Sequence, residues 1–162
     1  MRKWLCSVVI VAAVLAGCEP AATSPTYRWA MDTSAHRAGW DVANGTGVRI
    51  ATEHYHIYST VHDAAIDRYL PGFMEASHQY YLELTGLSDT TFTYSGPMVM
   101  YVMDNRDQWK GLTDHHFGEG SDVAESLRAG GYTVRGVCAL WDIGFMPTLS
   151  VASHEGLHQF FY

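Results

Sequence analysis

The sequence predicts an α+β fold: a small mixed β-sheet, a long kinked helix and a central helix that carries a His-Glu-x-x-His motif. Three observations predict it. Stretches rich in β-branched and aromatic residues at 48–59, 97–103 and 132–141 read as strands. Between the first two, Ile66, Leu70, Phe73, Tyr80, Tyr81 and Leu84 recur at helical spacing. A second apolar helical pattern closes the chain, so strands alternate with helices and the sheet lies over the last helix.

In chain order, Met1-Arg2-Lys3 is a short positive start followed by an apolar run from Trp4 to Gly17. That run is too short to span a bilayer, which needs about 20 apolar residues, and it fits a secretory signal. Leu15-Ala16-Gly17-Cys18 looks like the bacterial lipoprotein box, which implies cleavage before Cys18, lipid on its thiol and an extracytoplasmic protein anchored to a bacterial membrane. Residues 1–17 are then the signal peptide, 18–46 a lipid-anchored tether and lead-in, and 47–162 a single domain. Enough chain remains for one compact domain and too little for two.

Cys6 leaves with the signal and Cys18 is acylated, so no internal disulfide is available and Cys138, in an apolar run, is a packing residue. The formal charge of −7 becomes more negative once Arg2 and Lys3 are removed. With no cluster of Lys and Arg to neutralise phosphates, a nucleic-acid partner is excluded. The membrane contact is the N-terminal lipid.

Residues 19–26 are Pro, Ala, Thr and Ser with one Glu, a flexible composition; 27–46 are aromatic without a period and read as irregular. The strand at 48–59 changes its apolar face near Thr52-Glu53, the mark of a bulge, and places His54 and His56 on one face as secondary metal candidates. Thr60 to Asp63 fits a capping box for a helix over 61–85, kinked at Pro71 and stopped by Gly86.

The next strand, 97–103, is apolar on both faces, and Asp104 caps a short helix through Trp109. Residues 112–131 are looser, with Asp114, His115, His116, Glu119 and a short helix near 122–129. After the strand at 132–141, Pro147-Thr148 introduces the motif helix. On it Leu149, Ala152, Gly156 and Phe160 form one apolar face, with His154 and His158 nearly opposite.

His154-Glu155-Gly156-Leu157-His158 is the H-E-x-x-H signature. Histidines four apart on a helix of 3.6 residues per turn share a face, so both imidazoles reach one Zn²⁺ while Glu155 flanks a water as general base. The plainer alternative is a buried helix with two hydrogen-bonded histidines. A catalytic zinc takes three protein ligands, and the motif supplies two.

The order of a Gly-Tyr strand, a loop and the helix ending His158-Gln159-Phe160-Phe161 resembles the gluzincin metallopeptidases. More narrowly, it resembles the peptidase-MA-like domains of bacterial secreted proteins and lipoproteins, over roughly residues 48–162. The resemblance implies zinc-dependent hydrolysis of a peptide or protein substrate, with His154 and His158 as ligands, Glu155 as catalytic base and 132–141 as the sheet edge lining the cleft. It also implies a third ligand, a glutamate on a helix downstream of the motif, expected beyond Tyr162, so that 47–162 is the first part of a zincin-like domain and inactive alone. Asp114, His115, His116 and Glu119 are the upstream candidates for that ligand. The metzincin pattern is disfavoured because Phe161 stands where it requires glycine. The competing class is a non-catalytic extracytoplasmic lipoprotein, a binding or structural module. A helix ending at Tyr162 would close on the His158 carbonyl and leave the second histidine in a fraying turn.

Overall fold

Two of the stretches that read as single strands fold back on themselves as hairpins. In a computed structural model that describes residues 34–42, 45–88, 96–118, 126–128 and 130–162, the change of apolar face at Thr52-Glu53 is a turn, not a bulge. It separates β2 (Gly45–Ala51) from β3 (Tyr55–Ser59), and it closes through the Thr52 amide on the Tyr55 carbonyl at 2.9 Å. The stretch 132–141 divides likewise into β5 (Gly131–Val134) and β6 (Val137–Trp141). Arg135 and Gly136 between them both have positive φ, 51° and 76°, the hand that matches strand twist in a two-residue turn.

The lead-in read as irregular holds a further strand, β1 (His36–Val42), paired antiparallel with β2 from His36↔Ala51 to Val42↔Gly45. It ends the sheet, and its described side chains are exposed apart from half-buried Trp40. An edge strand with so little buried surface carries no alternating apolar signal, which is why periodicity missed it. The sheet domain therefore starts before residue 47.

α1 (Ala64–Thr85) begins later than expected. Asp63, not Thr60, caps it by accepting the Ala65 amide at 2.7 Å, and Gly86 ends it at φ 68° as the sequence implied. Pro71 lies inside the helix and is buried. The Thr60 hydroxyl instead donates to Gln108 and accepts the Asp104 amide at 3.0 Å, tying the end of β3 to β4 (Met98–Met103) and α2 (Arg106–Phe117). Asn105, not Asp104, caps α2, which runs well past Trp109. The short helix expected at 122–129 falls mostly outside the described residues.

The sheet order is β1-β2-β3-β4-β6-β5, with β3/β4 and β4/β6 parallel and the other pairs antiparallel, so the fold is α+β with a mixed sheet. One face buries Ile50, Ile57, Met100, Val102, Cys138 and Leu140 against α1 and the last helix, α3 (Phe145–Phe160). The other face receives α2, whose fully buried Trp109 packs among Met103, Tyr132, Ala139 and Trp141 and donates its indole N–H to the Ala139 carbonyl at 3.0 Å. The sheet thus separates α2 from α3, and only one of these helices carries the motif. No described helix is long and apolar enough to cross a membrane.

Candidate metal centre

α3 starts on a turn that the sequence encodes locally. Asp142 accepts the Gly144 amide at 2.7 Å and the Thr148 hydroxyl at 3.1 Å, while Thr148 accepts the Ile143 amide at 3.0 Å. Gly144 sits at φ 100°, a conformation that side chains resist. Pro147 falls in the first turn, where a missing N–H leaves no intrahelical bond unmade.

The far end differs from expectation. The helix stops at Phe160, and the Tyr162 amide donates to the Gln159 carbonyl at 3.1 Å rather than to His158. Gln159 reaches from the helix into the sheet, donating to the carbonyls of Val99 at 2.7 Å and Gly136 at 2.9 Å, and Phe160 is buried. The turn that holds His158 is therefore anchored on both sides of the chain.

Leu149, Ala152, Gly156 and Phe160 face the core as the spacing implied, and His154 and His158 are exposed on the opposite side. Their Nε2 atoms lie 3.2 Å apart, with the rings nearly perpendicular at 81°. Two nitrogens at about 2.0–2.1 Å from one tetrahedral ion stand about 3.3–3.4 Å apart. The Nε2 separation is thus close to that of two ligands on one tetrahedral ion. Without metal the same contact is a single N–H···N hydrogen bond, so one ring carries its proton on Nε2 and the other accepts.

Glu155 is only 9 % exposed. It lies between the histidine face and the sheet, close enough to the buried Cys138 for its charge to act on that thiol. Burial first, then the Glu155 charge, pushes Cys138 well above the ordinary thiol value, against a hydrogen bond from Thr133, so Cys138 stays a neutral thiol as its apolar run implied. The Glu155 carboxylate has no hydrogen-bond partner among the described residues.

Among the described residues no third His, Cys, Asp or Glu joins the pair. Asp114, His115 and His116 lie on α2, across the sheet, where Asp114 pairs with Lys110 at 2.5 Å and His116 packs on Tyr101. Glu119 lies outside the described residues, as does all of 1–33, where Cys18, the expected signal peptide and the flexible stretch after it fall. The two secondary candidates part company. His54 sits in the β2–β3 turn, where its ring donates to Glu75 at 2.6 Å and stacks on His78 at 3.8 Å; His56 points from β3 to Arg49, 3.0 Å away. Burial and the Arg49 charge hold His56 below the ordinary imidazole value.

Three residues near the motif were not legible in advance. Tyr81 of α1 donates to the Ser153 carbonyl at 2.5 Å, Thr133 of β5 donates to the Glu155 carbonyl at 2.8 Å, and Gln159 makes the sheet contacts above. Tyr81 showed only as one more apolar position of a helix. An open groove of about 450 Å³ runs between α1 and α3, walled by Phe73, Tyr80, Leu149 and Leu157 and reaching His154. Comparison with known protein families, curated proteins and solved structures finds no match to this chain.

Proposed function

We propose that this domain belongs to a zinc-dependent peptide hydrolase of the gluzincin, peptidase-MA-like kind. The observation that carries the reading is the 3.2 Å separation of the His154 and His158 Nε2 atoms on an exposed helix face, with the buried Glu155 beside them. Both rings would hold the ion through Nε2, with Nδ1 keeping its proton. Zinc, when bound, supplies a Lewis acid for the scissile carbonyl and lowers the pKa of water to about 7. Glu155 takes the proton of the attacking water and returns it to the departing amine, a general acid/base role suited to a carboxylate screened from solvent. β5, last in the sheet order, is where an extended peptide would add as a strand, and the groove beside His154 leaves room for an apolar group.

The leading residues 1–18 alone support a lipoprotein held outside the cytoplasm by its N-terminal lipid. Among the described residues no third ligand joins the pair, and the second reading, a non-catalytic binding module that keeps the motif without the activity, needs none. Hydrolysis separates the two. A zinc-supplemented protein that also carries the third ligand is expected to cleave an unfolded protein substrate and to stop when the metal is chelated. Glu155→Gln should lose at least about 10²-fold in rate while retaining zinc. Undiminished cleavage by Glu155→Gln removes the mechanism; no cleavage by a protein that carries the third ligand leaves the binding module.

A further inference from the structure

Arg135 is the one non-glycine residue with positive φ among the described residues. That place in a tight hairpin suits Asn, Asp or Gly, which tolerate the backbone, so arginine stands there against local preference. Its surroundings supply a reason. A cavity of about 100 Å³ opens between the β5–β6 hairpin and the end of α2, lined by His116, Tyr132, Val134, Arg135 and Val137. It lies on the α2 face of the sheet, because Gly131 and Thr133 alternate to the other face, where Thr133 donates to the Glu155 carbonyl of α3 at 2.8 Å.

The charge around this cavity has one sign. Two cross-strand rows run from β2 to β5 on this face, Ala51 to Val134 and Arg49 to Tyr132, and they hold an arginine and no carboxylate. Asp114, two residues before His116, is paired with Lys110 at 2.5 Å. Burial holds the Tyr132 phenol above its ordinary value, against a hydrogen bond with Thr113, so it adds no negative charge. Neither Arg135 nor His116 has a carboxylate partner among the described residues.

We propose that this cavity receives the carboxylate of an aspartate or glutamate side chain from an extended peptide paired with β5, so that the domain selects acidic peptides. The proposal rests on the reading of β5 as a peptide edge given above. Side chains of an added strand alternate between the faces of the sheet. Those beside Thr133 turn toward α3 and the motif, and those beside Tyr132 and Val134 turn toward the cavity. Opposed side chains on neighbouring strands have Cβ atoms about 4.5–5.5 Å apart, within reach of an arginine at the adjoining turn position. Arg135 offers forked N–H donors that match a carboxylate, and the His116 imidazole offers one more. Val134 and Val137 wall the cavity where the methylene stem of the acidic side chain would lie.

The test measures binding by fluorescence anisotropy on zinc-free protein, with a labelled, C-terminally amidated ten-residue peptide of Thr, Ser and Val that carries one central Glu, Gln or Lys. At low salt the Glu peptide is expected to bind about fivefold more tightly than the Gln peptide, and the Lys peptide more weakly than either. The preference should fade as salt is raised. Arg135→Asn removes the charge and suits the turn, so it should keep or raise the urea midpoint while the Glu and Gln peptides come within twofold of each other. Arg128→Asn removes an arginine outside the cavity and should leave the preference intact. Equal affinity of the parent for the Glu and Gln peptides, a preference that survives Arg135→Asn, or no binding of any peptide would overturn the proposal. None of these outcomes depends on zinc: a chain that prefers the Glu peptide but takes up no zinc loses the zinc reading and keeps this one.

Discussion

At the scale of single residues, His154, Glu155 and His158 were legible because helical spacing alone puts the two rings side by side and the carboxylate at their flank. The contacts that hold the helix carrying them were not. Tyr81 meets Ser153 across 72 positions and Thr133 meets Glu155 across 22, both through backbone carbonyls that every residue possesses, so no side-chain pattern announces the contact. Gln159 is the same case: its amide crosses to Val99 and Gly136, and its Oε1 is buried without a partner. Gln159→Leu keeps the bulk but strips two carbonyls of a donor. Urea denaturation is expected to show a loss of roughly 1–3 kcal/mol, and a variant as stable as the parent would mean that the anchor contributes nothing.

Among the elements, the long helix, the buried strand β4 and the motif helix were legible from length and period, whereas both hairpins read as single strands. The reason differs between them. The β5–β6 turn uses Arg135-Gly136 where Asn-Gly or Asp-Gly would have signalled it. The β2–β3 turn is held from outside, by α1: Glu75 accepts the His54 amide at 2.9 Å and its ring N–H at 2.6 Å. Burial alone would raise the Glu75 pKa. The hydrogen bonds from His54 and Thr52, together with the His54 charge, outweigh it and hold the carboxyl below its ordinary value of 4.5. A carboxyl depressed in the folded state contributes stability above its unfolded pKa and loses it as pH falls through the folded one. The stability advantage of the parent over Glu75→Gln should therefore be full at pH 7 and shrink on acidification below about 4.5. Urea midpoints of the two proteins compared from pH 7 to pH 3 check this; a gap that stays constant over the range contradicts it.

For the molecule as a whole, the α+β class followed from the alternation of apolar periods, but the strand order did not. β6 inserts between β4 and β5, and β1 adds an exposed edge, arrangements set by how helices pack on the two faces rather than by any one segment. That packing also decides which histidines meet. Nine stand in the sequence, and the sheet holds His115 and His116 on the α2 side, away from the α3 pair, while His54 is engaged by Glu75. The pair on α3 has the separation that a shared ion requires. Zinc stoichiometry of the purified full chain, by mass spectrometry of bound metal and by titration, tests this most directly. One zinc per chain is expected, lost at least about 10²-fold in affinity in His154→Ala and in His158→Ala and retained in His54→Ala and His116→Ala. A chain that binds no zinc, or that binds it equally well without both motif histidines, would contradict the assignment of this helix as a metal centre.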